Sequence, residues 1–103
     1  MAEHALKSAD VEREAIEVAR RNFGASRVTR AIVEPAVDLD GDDAWRVTII
    51  LENDAAVDAI DGDAVLDNLV QIHERLRQKG DERLPIVSFA TEEELRESDD
   101  PES

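Results

Sequence analysis

Cysteine is absent from this chain of 103 residues, which excludes disulfides, thiolate metal sites and cysteine nucleophiles. Aromatic residues are nearly absent as well, being limited to Phe23, Phe89 and Trp45. A core must therefore be built from Val, Ile, Leu and Ala, which suits helices packed on a sheet better than aromatic stacking. Long apolar runs are lacking. None approaches the roughly 20 residues of a membrane span, and Met1 to Ser8 is too polar for a signal peptide, so a cytoplasmic location is the expectation. Basic residues are scarce, 12 against 26 acidic ones, leaving a formal charge of −14. Such a balance opposes long-range attraction to DNA or RNA phosphates and favours a basic partner.

The length suits one domain able to bury roughly two-thirds of its unfolded surface, and 42% of the residues are apolar. A first helix is expected from Ser8 or Asp10, either of which can act as N-cap. Its apolar residues Val11, Ala15, Val18, Ala19 and Phe23 fall on one helical face, and Gly24 stops it. Val28, Thr29, Ile32, Val33 and Val37 then read as a strand interrupted by Pro35, a residue suited to a sheet edge or a bulge. Trp45, Val47, Ile49 and Leu51 alternate with Arg46, Thr48 and Glu52 as a strand with one buried face, although Ile50 breaks the alternation. Asp40-Gly41 between them predicts a tight turn and hence an antiparallel hairpin.

A helical turn is a possible reading of Asp54 to Ile60. The main second helix is expected from Ala64 to Lys79, with Asp63 as N-cap, a wide apolar face of Val65, Leu66, Leu69, Val70, Ile72, His73 and Leu76, and Gly80 as terminator. Leu84 to Ala90 reads as a last strand. Thr91 and Glu94 have capping-box spacing, which predicts one further helical turn, and Glu97 to Ser103 has the composition of a disordered acidic tail. The expected architecture is α+β: a small three-stranded sheet with two helices on one face, in the order αββαβ plus a short C-terminal helical turn. Residues 1–90 form the domain, and 91–103 the turn and tail.

Candidate sites are few. Asp38, Asp40, Asp42 and Asp43 place four carboxylates within six residues, the hard oxygen donors that calcium or magnesium prefers. An EF-hand loop needs Gly at its sixth position and a bidentate Glu at its twelfth, whereas counting from Asp38 finds Asp43 and Ile49. A solvated hairpin turn is therefore the expectation, with weak cation binding as the alternative. His73 lies on the helix stripe as a core-edge residue, and His4 has no Cys or third His to complete a metal set. No serine stands in a nucleophile elbow, and Gly24, Gly41, Gly62 and Gly80 are too far apart to cradle phosphate. No catalytic residue, metal ligand or cofactor is expected.

Charge is unevenly distributed. Val18 to Val33 holds Arg20, Arg21, Arg27 and Arg30 and no acid, whereas Glu34 to Asp67 holds eleven acids and only Arg46 as a base. Thr91 to Ser103 carries seven acids and one base. Helix-dipole complementation and a charged surface account for this pattern; a bipolar docking surface, with the four arginines meeting a phosphate or acidic group, is the sharper alternative.

The order of elements from residue 9 to 97 resembles the BolA-like and class II KH-like arrangement, whose members often serve as regulatory or RNA-binding modules. The resemblance is one of element order. The G-x-x-G loop with which KH domains clamp a nucleic-acid backbone is absent, and no histidine lies between the hairpin and the second helix, so no functional residue carries over. The expected function is a small, acidic, non-enzymatic protein-interaction or regulatory module, with homodimerisation through an edge strand as one version. A nucleic-acid or phosphate-binding regulator is the alternative.

Overall fold

The computed structural model describes residues 6–53, 57–58 and 60–98. The elements are α1 (Ser8–Phe23), β1 (Val28–Val37), β2 (Asp43–Leu51), α2 (Gly62–Gln78), β3 (Leu84–Thr91) and α3 (Glu92–Ser98). This is an α+β fold with the expected element order. Both helix starts lie slightly upstream of the expected caps: Lys7 is the N-cap of α1 and Asp61 that of α2. At α1 the Lys7 backbone N–H donates to the Asp10 carboxylate at 3.0 Å, so Asp10 serves the helix from inside its first turn.

Gly80 ends α2 with φ +93°. Its N–H donates to the Arg77 carbonyl at 3.0 Å and the next N–H, of Asp81, to the Leu76 carbonyl at 2.9 Å, the paired bonds of a Schellman stop. The helical turn considered for residues 54–60 falls largely outside the described residues; within them, Val57 N–H donates to the Asn53 carbonyl and Ile60 N–H to that of Val57. The suggested tail also lies largely outside them, except that Glu97 and Ser98 belong to α3.

The strand order is β1-β2-β3. β1 and β2 are antiparallel, while β3 runs parallel to β2. A parallel pair needs a crossover of a dozen or more residues, and the segment containing α2 supplies it. β1 is not interrupted at Pro35, which sits opposite Trp45 within a continuous edge strand, a place where a missing N–H is tolerated. The irregularity lies instead between Val28 and Arg30, where Val28 opposes Leu51 and Arg30 opposes Ile50. Thr29 is the extra residue of that bulge.

Register assigns the two faces of the sheet. Ala31, Ile49 and Phe89 form one row of the helix-covered face, Val33, Val47 and Val87 the next, and Pro35, Trp45 and Pro85 the third. Against them pack Val11, Ala15, Val18, Ala19 and Phe23 of α1 and Ile72 and Leu76 of α2. Phe23 meets Phe89 edge to face, with ring centroids 5.5 Å apart. The buried stripe of α2 is narrower than its sequence suggests, because this helix packs on α1 and on the edge strand β3. Asn68, Ile72 and Leu76 are buried, but Leu66 and Val70 are 60% and 62% exposed. Among the described residues, no helix is long and apolar enough to cross a membrane.

Candidate functional site

The second face of the sheet is closed at one end and open at the other. At the closed end, Glu92 of α3 accepts hydrogen bonds from the Thr29 hydroxyl at 2.8 Å and from Arg30 Nη2 at 3.1 Å. Ile50, whose neighbours across the sheet are Arg30 and Ala90, is fully buried there. Burial on both faces thus explains why Ile50 breaks the apolar alternation of β2. Bonds from Thr29 and Arg30 hold the Glu92 carboxyl below its usual range.

At the open end, where the hairpin turns, Leu84 and Ile86 of β3, Val37 at the very end of β1 and Leu39 of the turn line a groove of about 520 Å3 with Asp38 and Asp40. Val37 has the phase of Pro35 and joins the lining as the last residue of its strand, not by facing the same side as Leu84. Leu39 is fully exposed, and Val37, Leu84 and Ile86 are 63%, 43% and 40% exposed. Sequence reasoning placed Val37 and Ile86 in strands but did not join them into a site. The missing signal was phase: Leu84 and Ile86 alternate with Pro85, Val87 and Phe89, so they face away from the helices once Pro85 is paired with Trp45.

The acidic turn beside the groove is locally satisfied. Asp38 Oδ1 accepts the backbone N–H groups of Asp40 and Asp42, each at 2.9 Å, and Asp38 N–H donates to the Asp42 carbonyl. Gly41 takes φ +86° to complete the turn. Carboxylate oxygens of Asp38, Asp40 and Asp42 converge to within 4.8 Å of one another. The backbone bonds of Asp38 account for that convergence without an ion, although three oxygen donors of this kind are the sort a hard cation accepts.

The four arginines singled out in the sequence are not equivalent. Arg20 reaches back from α1 to the carbonyls of Val28 at 3.1 Å and Thr29 at 3.3 Å, supporting the bulged start of β1. Arg30 is engaged by Glu92. Arg21 and Arg27 are exposed. His73 is half-buried on α2, in keeping with a place at the edge of the core.

Two polar clusters were not visible in the sequence. Arg75 of α2 pairs with Glu14, at 3.0 Å, and with Glu17, while Lys79 lies 3.5 Å from Glu14. The hydrogen bond and charge of Arg75 lower the pKa of Glu17, and those of Glu17 and Glu14 raise that of Arg75. The second cluster is deeper. Asp81, fully buried, accepts Trp45 Nε1–H at 3.0 Å, Arg83 Nη2 at 2.6 Å, Arg83 Nε at 2.9 Å and the Arg83 backbone N–H at 3.0 Å. The Arg83 guanidinium lies 4.0 Å from the Trp45 ring centroid and donates to the Leu6 carbonyl at 3.1 Å. Burial pushes the Asp81 carboxyl upward, but the bonds from Arg83 and Trp45 together outweigh it and hold the pKa below the usual value.

Comparison with known proteins adds no assignment: no family model, no curated protein and no solved structure matches the chain.

Proposed function

We propose that the protein is a small non-enzymatic interaction module that binds another protein through the open end of its sheet. The observation that carries this reading is the convergence of Val37, Leu39, Leu84 and Ile86, four large exposed apolar side chains, on one groove. Single exposed apolar residues are ordinary, whereas a contiguous cluster rimmed by polar groups marks an interaction surface.

The carboxylates argue in the same direction. Acid-base catalysis by a carboxyl group uses a pKa moved toward neutrality, but Asp81, Glu92 and Glu17 are all shifted downward by arginine partners. These pairings read as structural. Recognition of phosphate by the arginines has less support, since Arg20 and Arg30 already engage acceptors within the fold.

Pull-down from native lysate with the wild-type chain and with a Leu39→Asp/Ile86→Asp variant tests the reading. A protein retained by the first and lost by the folded second is the expected result. Equal retention by both, or no retained protein with either, would refute it.

A further inference from the structure

Resting on the reading of the hairpin-end groove as an interaction surface, we infer that its occupant is an extended, apolar segment of a partner protein flanked by lysine or arginine. Shape supplies the first half of the inference. Leu84 and Ile86 stand on the same face of one strand, two residues apart, so their side chains repeat at about 6.6–6.8 Å. An extended partner segment presents alternate side chains at that same interval and can set them between Leu84 and Ile86 on one side and Val37 and Leu39 on the other. A groove of about 520 Å3 is in the range of sites that take a few side chains rather than a broad folded face.

Charge supplies the second half. Asp38 and Asp40 line the groove itself, and Glu34 to Asp43 holds five acids and no base. Arg46, directly opposite Ile86 in the sheet, is offset by Glu34 at 3.7 Å. An apolar segment entering this collar gains from cationic flanks and loses from anionic ones. The same collar selects against the other apolar occupant at hand, a second copy of the chain, because self-docking would bring two acidic rims together on molecules of charge −14 each. Nucleic acid and anionic lipid are opposed by the same field.

The test uses the full chain, isotopically labelled, and four synthetic peptides: a Val/Leu-alternating centre with Lys/Arg flanks, the same centre with Ser/Gly flanks, the same centre with Glu flanks, and Lys/Arg flanks around a Ser/Gly centre. The basic-flanked apolar peptide is expected to bind, moving amide signals at residues 37–40 and 84–86. Its affinity should fall about tenfold between 50 and 300 mM salt as screening shortens the reach of the rim. In Asp38→Asn/Asp40→Asn it should fall about fivefold, since asparagine keeps the turn's acceptor oxygen and loses only the charge.

Equal binding of the Ser/Gly-flanked or Glu-flanked apolar peptide would overturn the inference. Equal binding of the basic peptide that lacks an apolar centre would do the same. Groove signals that shift with protein concentration alone, together with a dimer in sedimentation, would assign the groove to a second copy instead. A partner captured in the pull-down and released by Leu39→Asp/Ile86→Asp, with none of the peptides binding, would sink this inference and leave the interaction reading standing.

Discussion

Asp81 and Asn68 are both fully buried polar side chains, yet their surroundings give them opposite value. Asp81 is satisfied by Trp45 and Arg83, and removing it strands a guanidinium that is itself largely buried. Asp81→Ala is expected to cost about 3–5 kcal/mol, the usual penalty for breaking a buried pair from one side, read by urea unfolding with Trp45 fluorescence. Asn68 accepts from Asn22 at 3.1 Å, but its Nδ2 has no partner among the described residues. Asn22 also reaches Gln71, so Asn68→Leu should be neutral or stabilising by up to about 1 kcal/mol. Acid titration follows from the same contacts. Asp81, Glu17 and Glu92 have lowered pKa values, so their contribution to stability is present above the unfolded carboxylate range, about 3.9–4.3. It is lost as pH falls through that range and then through the folded values. Urea midpoints should be flat with respect to these groups from pH 7 to about 5 and fall below it; a decline that begins near neutrality would contradict these assignments. None of this was legible in the sequence, where Asp81 reads as one more acid after a helix-ending glycine. Its burial depends on Trp45, 36 positions away.

At the level of elements, local chemistry carried much of the message. The capping box expected from Thr91 and Glu94 is formed: Thr91 N–H donates to Glu94 Oε1 at 2.9 Å and Glu94 N–H to Thr91 Oγ1 at 3.0 Å. Thr91→Ala should cost about 1 kcal/mol and raise amide exchange across residues 92–98, whereas Thr91→Ser should preserve protection. Unchanged exchange in Thr91→Ala would show that α3 is held by Glu92 instead. Helix stripes, glycine stops and the hairpin turn were likewise readable, since each depends on residues within a few positions of one another. The N-caps were displaced for different reasons. That of α1 is Lys7, before the first good capping side chain, whereas that of α2 is Asp61, a residue as suitable as Asp63 two positions later, although Asp61 makes no side-chain cap bond. Pairing direction was not readable: the apolar alternation of β3 is the same whether it runs with β2 or against it. The exposed Leu66 and Val70 have a similar origin, as a helical apolar pattern does not say how much of its face a neighbour will cover.

For the molecule as a whole, charge is the dominant unbalanced quantity. Surface ion pairs such as Arg46–Glu34 and Arg77–Glu74 contribute little each, while the excess of 26 acids over 12 bases leaves net repulsion that salt relieves. Raising KCl from 50 to 500 mM is therefore expected to stabilise the fold by about 1 kcal/mol, a rise in Tm of about 4–8 °C for a domain near this size. A fall in Tm over that range would mean that ion pairs outweigh repulsion. By itself the sequence determined composition, charge, the order of helices and strands and most of the apolar stripes, because these are set by residue type and by spacings of a few positions. Tertiary structure alone decided that β3 lies parallel beside β2, that Arg20 and Arg30 are spent within the fold, and that Val37 and Leu39 line one groove with Leu84 and Ile86 beside an acidic turn. The groove and the Arg30–Glu92 pair join segments more than forty residues apart, and local spacing in the sequence does not say which distant segments come together.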